Sequence, residues 1–451
     1  MKKKINFICV KRINYFNFLG ELIMNIQERF LKYISYTTTS DESSETCPST
    51  KQQLELGKYL VEELENIGLS QVKMDENGYV YGLLPATAGR EKDTPIGFIS
   101  HMDTSPDFSG ENPKPQIIED YDGADVLLKG SGAMLKVDDF PTLKWLKGRT
   151  LITTDGTTLL GADDKAGIAE IVTAMEELAE TDRHAESRGY ENLSGHGDIW
   201  VCFTPDEEIG RGADRLDLEY FKAKYAYTVD GGYEGEIAYE NFNAASATFK
   251  IHGKGVHPGE AKGIMKNASL MAAEIAMALP EKETPAMTEG REGFYHLTEM
   301  QGDVTEATLN YIVRDHDQTQ FEDRQNYLKE IAERFNQKFG GTPSTTNDEN
   351  HAGGNVVELE LKQSYSNMLQ VIEKTPKILD RARTAIESIG IQAVSDPVRG
   401  GTDGAKLSFM GLPCPNLGTG GYGYHGPFEH VTVEGMQAVV QIIKGIAKSK
   451  G

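Results

Sequence analysis

Four short apolar runs in this chain each end on residues that bind metals or move protons. Ile96 to Ser100 leads into His101-Met102-Asp103, and Ile199 to Thr204 leads into Pro205-Asp206-Glu207-Glu208. Tyr225 to Val229 leads into Asp230-Gly231-Gly232, and the region Cys414 to Leu417 leads through GTGGYGY to His425. Runs of this length that are apolar throughout read as strands buried on both faces. In open α/β sheets, ligands bind beyond the carboxyl ends of the strands, so the four segments are expected to converge on one crevice. Asp163 and Asp164 join them where GADDKAG opens a helix, after a loop rather than a long strand.

The resulting set has two histidines, several carboxylates and no thiolate. That is the donor inventory of a pair of zinc ions with a shared carboxylate and an open position for water. Taken singly, each member has an ordinary reading. His101 reads as a core histidine, Asp163-Asp164 as helix-capping acids, Glu207-Glu208 as a solvated charge pair, and Asp230-Gly231-Gly232 and His425 as turns. Recurrence at successive strand ends argues against all of these holding together.

The surrounding pattern supports an α/β fold, a mostly parallel sheet flanked by helices. NIQERFLKYISYTTTSDESS, from Asn25, reads as an amphipathic helix and a polar loop. Residues 51–67 and 164–180 carry apolar residues every three or four positions, the helical period. Near Asn243 the period changes to the alternation of a half-exposed antiparallel sheet. The elements there read strand 244–252, helix 267–279, strands 293–299 and 304–313, helix 321–338 and strand 355–362. This is the βαββαβ order of a ferredoxin-like sandwich. The expected organisation is a catalytic zinc-binding domain over 24–242 and 364–451, with a lid or dimerisation domain inserted over 243–363. A helix at 373–388, a glycine-rich stretch, and a final strand and helix return the chain to the first sheet.

Composition narrows the function class. At 451 residues, the chain is long enough for two or three domains. Its 46 Lys plus Arg against 69 Asp plus Glu give a formal charge of -23. That balance repels phosphate backbones and anionic lipid, so neither nucleic acid nor a membrane is expected as partner. No apolar run reaches the length of a membrane span. Cys9, Cys47, Cys202 and Cys414 are scattered without CxxC spacing, which argues against a disulfide framework and favours a reducing cytoplasm. Residues 1–23 begin basic, but Lys11 and Arg12 break the apolar run and no small-residue cleavage site follows. They are expected to be disordered or a start-site artefact, with Met24 opening the folded chain.

Longer motifs carry a family resemblance. HMDTSPD, TTDGTTLLGADDKAGIAEI, FTPDEEIGRGAD, YTVDGGYEGEI, GVHPGEAKG, RGGTDGAKLSFMGLPCPNLGTGG and YHGPFE resemble the tripeptide aminopeptidases among the dizinc metallopeptidases. That family also includes glutamate carboxypeptidase, acetylornithine deacetylase and aminoacylase. The resemblance spans about residues 24–446. It implies that His101, Asp163 and Asp230 hold one zinc and that Asp163, Glu208 and His425 hold the other, two ions per subunit with Asp163 bridging. It further implies that Asp103 orients the His101 ring. Glu207 is the implied general base, taking a proton from water and delivering it to the leaving amine.

His257, in GVHPG, is implied to reach the oxyanion from the inserted domain, in some dimers that of a partner subunit. Arg399 before a glycine-rich run, and Arg314 in ATLNYIVRD, are candidate clamps for a peptide carboxylate. Short peptides, chiefly tripeptides, are the expected substrates, and a homodimer through the inserted domain the expected assembly. His and carboxylate donors suit cobalt and manganese as well as zinc. A dipeptidase, carboxypeptidase or N-acyl-amino-acid deacylase on the same metal site is the alternative activity, and a catalytically dead relative that only binds peptides or partners is the alternative from a different functional class. The longer polar stretches 181–197 and 341–354 place His184, His196 and His351 in solvent by expectation, away from any metal.

Overall fold

The computed structural model describes residues 24–187, 195–340 and 355–449. The expectations for residues 1–23 and for His351 lie outside the described residues. Two compact units are formed. The first takes the described residues up to Tyr239, Gln370–Asp396 and those from Thr402 onward; the second takes Glu240–Leu369 and Pro397–Gly401.

The first unit is built on a seven-stranded sheet in the order Ser70–Met74, Val80–Leu84, Ile199–Thr204, Ile96–His101, Tyr225–Gly231, Asn416–Gly418, Ile237–Ala238. The four strands from Ile199–Thr204 to Asn416–Gly418 run parallel, and the outer ones pair antiparallel, so the sheet is mixed. Every residue of Ile96–His101 and Ile199–Thr204 is buried, as uninterrupted apolar runs require. Their parallel register sets Ile96 opposite Ile199 and His101 opposite Thr204, and Ile96 also faces Tyr225 on the other neighbour. Parallel pairing therefore delivers His101, the turn after Thr204, and Asp230 to the same edge of the sheet.

The helices cover this sheet with apolar stripes. Gln53–Ile67 buries Leu56, Leu60 and Leu64 at four-residue spacing and stops at Gly68, whose φ of 98° suits glycine alone. Ala162–Ser187 buries Ile168, Ile171, Val172 and Met175. Each fully buried aliphatic side chain of this kind contributes about 2 kcal/mol. A small antiparallel sheet, Gly421–Tyr422, His430–Thr432, Leu151–Thr153 and Gln116–Ile118, completes the functional edge. It sets the loop between Tyr422 and His430, which carries His425, beside the loop from Thr153 to Asp163.

The second unit has a four-stranded antiparallel sheet ordered Phe294–Gly302, Glu306–Asp315, Asn243–His252, Val357–Tyr365, with helices Ala268–Ala276 and Gln318–Phe339. The chain order is βαββαβ. Asn243–His252 pairs over its full length, from Asn243 opposite Asp315 to His252 opposite Glu306. Its alternation places Phe249 and Ile251 in a core with Leu309, Val313, Phe321, Leu328 and Phe335.

One histidine departs from expectation. His196 is fully buried, with Nε2 2.9 Å from Asp182 Oδ2 and Nδ1 2.8 Å from the carbonyl of Gly197. Its polar sequence neighbours suggested solvent, whereas a carboxylate from the preceding helix supplies the partner that makes burial tolerable. His184 is exposed, as expected.

Candidate metal centre

His101 ends its strand with only 1 % of its side chain exposed. Its Nδ1 faces the Asp103 carbonyl at 3.1 Å and Asp103 Oδ1 at 3.3 Å, which turns Nε2 the other way. Nε2 lies 3.0 Å from Asp163 Oδ1 and 3.5 Å from Asp230 Oδ1. The second histidine makes a matching set. His425 Nε2 lies 2.9 Å from Glu208 Oε2 and 3.4 Å from Asp163 Oδ2. Asp163 thus presents one oxygen to each ring.

Local backbone geometry explains how these groups are aimed. Asp163 and Asp164 stand at the start of Ala162–Ser187 with non-helical dihedrals and a cis peptide between them, before regular helix begins. Asp206 has a φ of 60° and Gly210 a φ of 70°, flanking the single turn Glu207–Ile209. Asp206 is held there by Ser49, whose N–H and hydroxyl both donate to it, and by the Gln53 amide at 2.7 Å. Asp103, wholly buried, accepts the Glu207 N–H at 3.0 Å on Oδ1 and the Glu208 N–H at 3.1 Å on Oδ2. The same carboxylate therefore orients a histidine and the backbone of both glutamates. His425 takes a φ of 61° at the hairpin tip, a conformation that surrounding structure must impose on a non-glycine residue.

The glutamates diverge. Glu208 turns to His425, whereas the Glu207 carboxylate lies with His101 and Asp230, one donor atom of each within 4.8 Å of the others. A second such group is His101, Asp163 and Glu208. Both are close enough to hold a metal ion.

Packing so many acids together moves their proton affinities. Burial, joined by the charges of Asp403 and Asp230, pushes Glu207 well above the ordinary carboxyl range. Burial and the charge of Asp163 push Glu208 up to about 7, and burial pushes Asp230 up to about 6. Burial alone would raise Asp163, but hydrogen bonds from His101 and His425 hold it below its usual range. Hydrogen bonds to Asp163 and Glu208 raise His425 to about 11. For His101, burial lowers the affinity, and Asp230 with the bonds to Asp103, Asp163 and Asp230 carries it well above normal.

The structure also assembles residues that sequence reasoning did not single out. Asp107 Oδ2 lies 3.2 Å from His425 Nδ1. Asp403 is buried, accepting the Ala213 N–H at 3.1 Å on Oδ1 while Oδ2 has no partner among the described residues. Glu429 accepts three backbone N–H groups of the loop before Asp163. All three sit inside the motifs HMDTSPD, RGGTDGA and YHGPFE, so motif membership was the available signal.

The remaining candidates belong to the second unit. His257 is exposed and accepts the Gly259 N–H at 3.2 Å. Arg314 lies over the Tyr365 ring at 5.2 Å and donates to the Val313 carbonyl at 3.0 Å. Arg399 donates to the carbonyls of Gly290 at 2.8 Å and Glu292 at 3.0 Å and to the Thr288 hydroxyl at 2.8 Å, beside the rings of Phe242 and Phe294.

Residues 239–343 match the family described as peptidase dimerisation domain. The chain is 52 % identical over 428 residues to the peptidase T of Caldanaerobacter subterraneus subsp. tengcongensis, covering 94 % of this chain and 98 % of that one. It is 50 % identical to the peptidase T of Clostridium acetobutylicum, covering 93 % and 98 %. The fold matches an aminopeptidase PepT from Bacillus cereus with a TM-score of 0.68 at 23 % identity, over 94 % of this chain and 97 % of that one. A tripeptidase from Staphylococcus aureus matches with a TM-score of 0.68 at 22 % identity, over the same shares. With half of its residues identical to such relatives across nearly its whole length, the chain is a peptidase and belongs to the peptidase T family.

Proposed function

We propose that the protein removes the N-terminal residue from tripeptides at a pair of zinc ions, one held by His101, Asp163 and Asp230 and the other by Asp163, Glu208 and His425. One observation carries the reading: Asp163 divides its two oxygens between two histidines, each of which has a further carboxylate of its own. The donor chemistry fits such ions, being nitrogen and oxygen without sulfur. So does Glu208 Oε1, buried and without a partner among the described residues. Zinc bound there supplies Lewis-acid activation of water and of the scissile carbonyl.

The chain's own groups do the rest. Glu207, whose carboxylate stands with His101 and Asp230, takes a proton from the attacking water and delivers it to the leaving nitrogen. Asp103 holds His101 and the Glu207 amide in register for that transfer. His257, Arg314 and Arg399 are assigned to the substrate, the histidine to the developing oxyanion and the arginines to the terminal carboxylate. The names of the relatives, peptidase T, aminopeptidase and tripeptidase, support the substrate class. The match to a peptidase dimerisation domain supports a homodimer through the second unit, which solution scattering tests. Cys47, Cys202 and Cys414 are free thiols, in keeping with a reducing cytoplasm. No helix among the described residues is long and apolar enough to cross a membrane.

The test is incubation of zinc-loaded protein with an unblocked tripeptide, its N-acetylated form and the corresponding dipeptide, with products read by mass spectrometry. Release of one N-terminal residue from the unblocked tripeptide alone, abolished by chelator, is expected. Cleavage of the blocked form, or preference for the dipeptide, would replace the proposal with a deacylase, carboxypeptidase or dipeptidase.

A further inference from the structure

The carboxylate of Glu429 has both oxygens committed to backbone. Oε2 accepts the N–H of Leu160 at 2.6 Å and of Gly161 at 2.9 Å, and Oε1 accepts the N–H of Asp163 at 2.9 Å. The residue is 1 % exposed. It stands four positions after His425, just ahead of the strand His430–Thr432. One side chain therefore ties the hairpin bearing His425 to the loop that ends on Asp163. On the opposite flank, the Tyr424 hydroxyl donates to the Gly231 carbonyl at 2.9 Å, next to Asp230.

We infer that Glu429 is a positioning residue that sets the placement of Asp163 relative to His425, and so the shape of both metal subsites, without itself touching a metal. The inference rests on the reading that Asp163 and His425 hold the metals. Three amide donors engage both carboxylate oxygens, and Glu429 belongs to neither of the groups that could hold an ion among the described residues. A neutral amide in its place has one oxygen and one NH2, so either Leu160 and Gly161 or Asp163 meets a donor instead of an acceptor. Hydrogen bonds to a carboxylate are also about twice as strong as neutral ones, so even a correctly turned glutamine holds the loop less firmly.

The test compares the full-length wild-type protein with Glu429→Gln. Zinc affinity is read by chelator competition, the absorption spectrum is taken with cobalt in the site, and kcat and KM are measured on a tripeptide. Partners that orient metal ligands typically change metal affinity about 10–100-fold when mutated, and a loss of that size is expected here. An altered cobalt spectrum and a fall in kcat larger than the change in KM are expected with it. Wild-type affinity and spectrum in Glu429→Gln would overturn the inference.

Should Glu429→Gln not fold, amide exchange in the chelated wild-type protein decides. Leu160, Gly161 and Asp163 are expected to stay protected, because Glu429 rather than the metal holds them, and rapid exchange at all three would overturn the inference. A wild-type protein that binds no metal would remove the site assignment and this inference together. Wild-type metal binding beside an indifferent Glu429→Gln removes this inference alone.

Discussion

Replacing Asp103 by Asn changes one oxygen to NH2 and leaves the side chain's shape intact. In the folded protein Oδ1 accepts the Glu207 N–H at 3.0 Å and lies 3.3 Å from His101 Nδ1, while Oδ2 accepts the Glu208 N–H at 3.1 Å. Asparagine satisfies one side only. With its oxygen toward Glu207 and His101, the Glu208 amide faces an NH2; reversed, both the Glu207 amide and the ring do. The residue has no exposed surface, so no water takes over. A buried donor left unpaired costs about 1–3 kcal/mol, which sets the expected loss of stability for the metal-free variant. His101 also loses the charge that orients its ring, for which a 10–100-fold fall in zinc affinity is typical, roughly 1.4–2.7 kcal/mol. Urea unfolding of the chelated protein reads the first quantity. The chain's two tryptophans, Trp145 and Trp200, both lie in the unit that carries Asp103, so their fluorescence reports that unit. Chelator competition reads the second. Asp103→Asn with a wild-type urea midpoint and wild-type zinc affinity would refute the reasoning, because it would mean the three contacts contribute nothing.

The other predictions concern the remaining roles. Glu207→Gln should keep its zinc and lose about 10²–10⁴-fold in kcat, since only proton transfer is removed; near-full activity with zinc bound sinks the general-base assignment. Asp163→Ala should bind neither zinc with wild-type affinity, because both subsites draw on its oxygens, and metal analysis showing one ion undisturbed argues against bridging. His430 is buried between Tyr422 and Phe140, and burial pushes it down to about 4. Its proton is therefore bound more tightly in the unfolded chain, and stability present above about pH 6.5 should be lost as pH falls toward 4. His430→Phe should flatten that decline in urea midpoints taken across the same pH window. Arg29 is buried and pairs with Glu63 at 2.9 Å and Glu176 at 2.8 Å, so Arg29→Met takes the shared cation away from two largely buried carboxylates. A loss of about 3 kcal/mol in urea unfolding is expected, and an unchanged midpoint contradicts it.

Much of the site was legible because the chemistry sits where apolar runs stop. His101, the Glu207-Glu208 pair and Asp230 follow strands whose composition alone marks them as buried, and the parallel register then brings them to one edge. The βαββαβ order of the second unit was legible from alternation, since a sheet with one covered face prints its period on the chain. Less accessible were the antiparallel strand Val80–Leu84 and the small sheet around Leu151–Thr153, which are short and pair with segments far along the chain, Ile199–Thr204 and His430–Thr432. Pro397–Gly401 groups with the second unit, although glycine-rich sequence carries no sign of which core it will join. His196 shows the same limit: its neighbours are polar, but its partner Asp182 lies fourteen residues earlier in the chain.

Sequence by itself determined the inventory: two histidines, several carboxylates and a glutamate pair, most of them at the end of a strand or the start of a helix, because burial and period are written locally. Tertiary structure alone decided how each group is aimed. That Asp163 faces both histidines, that Asp103 grips two glutamate amides, and that Glu429 holds the loop of Asp163 all follow from hydrogen bonds between segments roughly 60 to 270 residues apart. The donors in those bonds are largely backbone amides, which every residue carries alike, so no pattern of side chains announces them.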